Sequence, residues 1–130
     1  MDSDIINTVV AFIRPFQLDA VVEALRSLPN FPGMSVSDVR GFGHHGAHPP
    51  HRGEMAEVDP FMPMVRLEIT CRGQELSGIV ETIRHTARTG HPGDGKIFIS
   101  TAAWACRIRT DDKGPDAVLG GMQRQGTGLA

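Results

Sequence analysis

Residues 7–14, NTVVAFIR, constrain the fold more than any other stretch of this chain. Between Val9 and Ile13 apolar side chains fall on both alternating faces, and a strand of that kind has to be covered on both sides. Pro15 then permits a helix to start. Val21, Val22 and Leu25 recur at helical spacing up to about Leu28, and Pro29 and Pro32 end the pattern. Residues 34–41 (MSVSDVRG) predict a second strand, short and partly polar. Residues 65–71 (VRLEITC) alternate apolar positions with Arg66, Glu68 and Thr70, which predicts a third strand with one solvated or interfacial face. Leu76, Ile79, Val80, Ile83 and Ala87 follow the spacing of an amphipathic helix that ends near Thr89 and Gly90. Residues 97–103 predict a fourth strand, continued or bent near Trp104 into the segment RIRT.

Between the second and third strands the pattern disappears. Residues 42–64 contain glycines, prolines, charges and four histidines with no sustained period, and a long mobile loop at about 42–63 is predicted, since inserts of that length in small domains are usually functional or disordered. The order strand, helix, strand, long loop, strand, helix, strand is α+β: the ferredoxin-like βαββαβ arrangement. Two helices can cover only one face of such a sheet, so the apolar residues on the other face of the first strand need a partner. A symmetric oligomer is the simplest supply. The domain is expected to span residues 1–112, with a flexible, polar and Gly-rich tail at 113–130.

The stretch RTGHPGDGKIF carries the chemistry. Gly90, Gly93 and Gly95 flank Pro92 and Asp94, so the backbone can adopt positive φ and turn successive amides toward one point as an anion nest. Lys96 closes the loop. Arg107 and Arg109 stand at a period of two, which on a strand points both side chains to one face. Two guanidiniums and an ammonium are expected to converge on the nest as a phosphate site. The alternative is an ordinary glycine turn with solvated arginines. Gly90 to Lys96 satisfies the spacing G-x-x-x-x-G-K, yet this is no P-loop: Ile97 replaces the magnesium-binding hydroxyl, and the flanks read helix then strand.

Composition excludes several classes. The formal charge of −2 over 130 residues, with both signs mixed, leaves no basic face for nucleic acid. No apolar run reaches the length of a membrane span, and no basic segment precedes an apolar one at the N-terminus. A cytoplasmic location is expected. Cys71 and Cys106 lie in apolar segments without C-x-x-C spacing and read as buried free thiols. No carboxylate pair, magnesium-binding hydroxyl or nucleophile with an adjacent base is evident, so turnover of ATP is not expected. His44, His45, His48 and His51 lie within eight residues, with Met55, Met62 and Met64 nearby. Imidazole suits zinc, copper and nickel and thioether favours Cu(I). A solvated loop whose histidines merely titrate is the other reading, because the spacings match no fixed metal motif.

Taken together, FIRPFQLDAVVEAL, GMSVSDVRGFG, TARTGHPGDGKIF and RIRT resemble the PII signalling family, from the N-terminus to about Thr110. The resemblance implies a compact trimer with adenine nucleotide (ATP, ADP or AMP) in three clefts between subunits. It places Gly93, Asp94, Gly95, Lys96, Arg107 and Arg109 at the phosphates, and Ser35, Gly41 and Glu68 on the adenine and ribose side. The long loop corresponds to the element by which such proteins reach a membrane transporter or metabolic enzyme. Two departures stand out. His45 replaces a glutamine that helps bind magnesium and 2-oxoglutarate, and Met64 replaces the lysine that pairs the 2-oxoglutarate carboxylate, with Arg66 two residues on as the nearest substitute. The chain has no Tyr, and no Ser or Thr lies between Phe42 and Arg66, so hydroxyl modification of the loop is excluded. The expected function is a nucleotide-sensing regulator that is not an enzyme and does not sense 2-oxoglutarate. It resembles family variants found beside transporters of metal ions and inorganic carbon, and a metal-binding or bicarbonate-responsive regulator with nucleotide as a secondary ligand is the alternative.

Overall fold

A computed structural model describes residues 5–43 and 60–119. Four strands, β1 (Ile6–Ile13), β2 (Ser35–Gly41), β3 (Met62–Arg72) and β4 (Gly95–Ala102), form one antiparallel sheet in the order β2–β3–β1–β4. Helices α1 (Leu18–Arg26) and α2 (Gly73–Ala87) connect them. The fold is ferredoxin-like α+β.

The doubly apolar strand occupies the inside of the sheet, as its pattern requires. β1 pairs on one side with β3, where Ile13 opposes Val65, and on the other with β4, where Ile13 opposes Gly95. Val9, Ala11 and Ile13 of β1 and Val65, Leu67, Ile69 and Cys71 of β3 all point to the helix side and are at most 2% exposed. Val21 and Leu25 of α1 and Leu76, Ile79, Ile83 and Ala87 of α2 close over them. Burial of each large aliphatic chain contributes roughly 1.5–3 kcal/mol. The opposite face carries Thr8, Val10 and Phe12 of β1, Arg66, Glu68 and Thr70 of β3, and Lys96 and Phe98 of β4, by the alternation of the register. Neither α1 nor α2 covers it, and Phe98 stays 54% exposed beside Phe12 in an edge-to-face contact with ring centroids 6.3 Å apart.

Three elements depart from the sequence reading. β3 starts at Met62 rather than Val65, because Met62, Pro63 and Met64 oppose Gly41, Arg40 and Val39 and lengthen the β2–β3 hairpin. β1 has ended there, so this extension pairs on one side only, where a proline without N–H is tolerated. α2 starts at Gly73, three residues early. The Glu75 carboxylate accepts from the Arg72 backbone N–H at 3.3 Å and from the Arg72 guanidinium at 2.9 and 2.6 Å, which caps the first turn. Beyond Lys113 the chain was expected to lie loosely. Instead Gly114–Val118 forms a 3-10 turn, named η here, that packs against β3 and β1. The remainder of the expected tail, 120–130, and the loop histidines His44, His45, His48 and His51 lie outside the described residues.

Candidate nucleotide site

The glycine loop is rigidly built, and its organiser is Asp94. Its carboxylate accepts the backbone N–H groups of Thr89 at 2.8 Å and Gly90 at 2.9 Å, together with the Thr89 hydroxyl. Arg14, at the exit of β1, donates its Nε–H to the same carboxylate at 3.1 Å and a second N–H to the Pro92 carbonyl. Burial alone pushes the Asp94 carboxyl up, but the Thr89 hydroxyl, the two amides and Arg14 outweigh it and hold it well below the usual carboxylate range. The backbone takes positive φ at Gly90, Gly93 and Gly95 as the sequence implied, but the amides of Thr89 and Gly90 are aimed at the chain's own carboxylate. His91 extends the turn by donating its N–H to the Thr89 hydroxyl at 3.2 Å.

Glycine is required at two points of this loop. Gly93 has φ +93°, and a Cβ there would come 3.0 Å from the Arg14 guanidinium. Gly95 has φ +115°, and a Cβ would sit 1.7 Å from the Phe12 carbonyl oxygen. That close approach lets β4 pair with β1 from its first residue, which puts Lys96 opposite Phe12 on the face away from α1 and α2. Asp94, Gly95 and Lys96 line a cavity of about 360 Å³ with Ile13, Ile83 and Ile97. Helix-then-strand flanks are present as the sequence implied, so the loop is not a P-loop.

Ser35, Glu68 and Arg107 meet elsewhere. Ser35 opposes Glu68 across β2 and β3, and both line a more polar cavity of about 530 Å³ with Gly33, Met34, Thr70 and Arg107. Glu68 accepts a hydrogen bond at 2.7 Å from Arg66. Gly41 lies at the end of β2, where a Cβ would come 3.3 Å from the Met64 side chain.

Two expectations are corrected here. Arg107 and Arg109 do not share a strand face. β4 ends at Ala102, and the following segment folds back as a small hairpin in which Cys106 bridges Lys113, Arg107 N–H donates to Asp112 O at 2.8 Å and Asp111 N–H donates to Arg107 O at 2.8 Å. Asp111 takes φ +64°, and Thr110 and Asp112 bond each other at 2.7 Å, so Asp-rich turn chemistry overrides the strand pattern. Ile108 at its tip is fully exposed. Nor do the cations converge within one protomer. The Lys96 and Arg107 cavities share no lining residue, and β4 and β2 are opposite edges of the sheet, three strand spacings or about 14 Å apart.

Sequence reasoning missed Arg14 and Thr89 as organisers of the loop. Arg14 lies eighty positions from Asp94, and only the β1–β4 register brings them together. Cys71 and Cys106 are free thiols; Cys71 is buried as read, whereas Cys106 in the fold-back after β4 is only partly buried, and burial together with Glu75 pushes the Cys71 thiol up to about 11. Among the described residues, no cluster of His, Cys, Asp or Glu could hold a metal, and no helix is long and apolar enough to cross a membrane.

A ferredoxin-like sheet bearing a lysine-closed glycine loop at one edge and an arginine-lined cavity toward the other defines the class of protein at hand. Within that class the chain belongs to the P-II family: the family model described as nitrogen regulatory protein P-II matches residues 6–112. It is 44% identical to the nitrogen regulatory protein P-II of Cereibacter sphaeroides, over 109 residues that make up 83% of this chain and 96% of that one. The P-II proteins of Rhizobium meliloti (strain 1021) and Pasteurella multocida (strain Pm70) are 40% and 41% identical with the same coverage. The chain is thus a member of a family of nitrogen regulatory signalling proteins.

Proposed function

We propose that this protein is an adenine-nucleotide-sensing regulator, a cytoplasmic homotrimer that controls a transporter or metabolic enzyme through the segment between β2 and β3. One observation supports the reading: the Lys96 loop and the Arg107 cavity lie toward opposite sheet edges of one protomer, as two halves of a site shared between neighbours would. Gly93, Asp94, Gly95 and Lys96 would form one half; Ser35, Glu68 and Arg107 would form the other, with Gly41 on the same edge strand β2 at the root of the loop and Arg109 at the exposed turn beside it. Packing the uncovered sheet faces of three copies together brings the edge of one protomer to the next. Lys96 then supplies a point charge to the phosphates, and the arginine fork of a neighbour supplies bidentate donors. Nucleotides that contact the loop root differently shift the loop population, whereas a ligand that treats both loop states alike shifts nothing.

Two features support the loss of 2-oxoglutarate sensing. Met64 offers no charge beside Gly41, and the Arg66 guanidinium is already engaged by Glu68 at 2.7 Å. Calorimetric titration with ATP, ADP and AMP, repeated with 2-oxoglutarate, bicarbonate and zinc, tests the whole reading. Nucleotide binding without coupling to 2-oxoglutarate is the expected result; tightening of ATP by 2-oxoglutarate would make this an ordinary nitrogen sensor. Shared sites are tested separately: Lys96→Ala and Arg107→Ala should each abolish tight binding, and refolded mixtures of the two should regain it, since some clefts then receive an intact half from each chain. If mixtures bind no better than the separate variants, the two halves do not form one site.

A further inference from the structure

The guanidinium of Arg107 is already held by its own chain. Its Nη2–H donates to the Leu119 carbonyl, and Asp112 stands 3.9 Å from its Nε. Those two groups occupy the side-on Nε/Nη2 edge of the fork, the edge that grips two oxygens of a phosphate at once. The hold is imperfect. Nε is buried, and 3.9 Å is too long for a hydrogen bond, so this donor finds no acceptor among the described residues. A buried charged donor left in that state is costly, and a phosphate at the same edge satisfies both N–H groups.

The carbonyl that holds Arg107 sits on a short strap. Gly114 N–H bonds Ala105 O at 3.0 Å, and Gly114 adopts φ +71°. Pro115 starts the turn η (Gly114–Val118), and Leu119 N–H bonds Asp116 O at 3.4 Å. Ala117, Val118 and Leu119 form a wall of the cavity that contains Ser35, Glu68 and Thr70. Although η packs on β3 and β1, none of the strap residues is fully buried, so the strap detaches at lower cost than a core element.

We propose that residues 114–119 are an intramolecular competitor for the phosphate edge of Arg107, so that nucleotide binding and strap docking exclude one another. The proposal rests on the nucleotide reading above and adds a reporter at residues 114–119, remote in sequence from the segment between β2 and β3. Nucleotide occupancy is then reported by release of the C-terminal segment as well.

Two variants of the full chain loosen the strap without touching the cavity's charged groups. Val118→Ser removes an apolar contact without adding a charge, and Gly114→Val strains the left-handed residue at its root, where a Cβ has open space. Calorimetry with ATP is expected to show both binding roughly tenfold tighter than wild type, the effect of freeing one charge-assisted hydrogen bond. Adding Arg107→Ala should erase that gain. Hydrogen exchange on the wild-type chain provides the second readout: saturating ATP should speed exchange of the Leu119 amide. Equal affinities in wild type and variants, or slower exchange at Leu119 with ATP, would overturn the strap and leave the nucleotide site standing. Absence of ATP binding in all three chains would overturn both.

Discussion

At the scale of single residues, the site depends on atoms that approach too closely for a side chain. Gly95 is the extreme case, because β4 starts its pairing with β1 where a Cβ would overlap the Phe12 carbonyl oxygen. Gly95→Ala combines that overlap with an unfavourable positive φ, and it is expected to cost more than about 4 kcal/mol, beyond the range of ordinary substitutions. Urea unfolding measures it. A loss under about 1 kcal/mol would mean that β4 can enter the sheet one residue later, with Lys96 displaced. Arg14 is the counterpart: a side chain rather than a gap, 19% exposed and fixed by Asp94 and the Pro92 carbonyl. The sequence made the glycines conspicuous. Arg14 was invisible in it, since nothing local distinguishes an arginine that closes a loop eighty residues away from one that is solvated.

At the scale of elements, the glycine loop behaves as one electrostatic unit. The Asp94 carboxyl is held below its ordinary range in the folded chain, so its contribution to stability is complete above the unfolded value of about 4 and fades as the pH falls through the lower folded value. The urea midpoint of the wild type relative to Asp94→Asn, followed from pH 6 downward, is expected to hold a constant gap to about pH 4 and then narrow. A gap that widens with acid would show that the carboxyl is not the group fixing the loop. The hairpin after β4 teaches a different lesson. RIRT alternates like a strand, yet Asp111 and Asp112 close a turn there, and the two arginines point apart in function: Arg107 into a cavity, Arg109 out at the exposed turn. A period of two over three residues is too short to outweigh turn chemistry.

At the scale of the whole molecule, one sheet face is finished and the other is not. Val10, Phe12 and Phe98 lie on the face that neither α1 nor α2 covers, and Phe98 remains half exposed within one protomer. Sedimentation of the purified chain is expected to give three times the 14.1 kDa chain mass. Phe98→Asp, which places a charge in the proposed interface while leaving the helix-side core intact, should lower that mass toward a single chain and weaken ATP binding with it. A folded Phe98→Asp protein that keeps the trimeric mass would move the interface to another surface.

The sequence by itself determined the order of the elements, the doubly apolar inner strand, the one-sided helix layer and the family, because hydrophobic periodicity and turn glycines are local signals written in neighbouring residues. Tertiary structure alone decided which groups meet. The β1–β4 register joined Arg14 to Asp94, the β2–β3 pairing joined Ser35 to Glu68, and the fold-back after Ala102 carried Arg107 to Leu119 and away from Lys96. Those contacts bridge residues far apart along the chain or across a turn, and their distances follow from the register of packed strands, which no local pattern of side chains encodes.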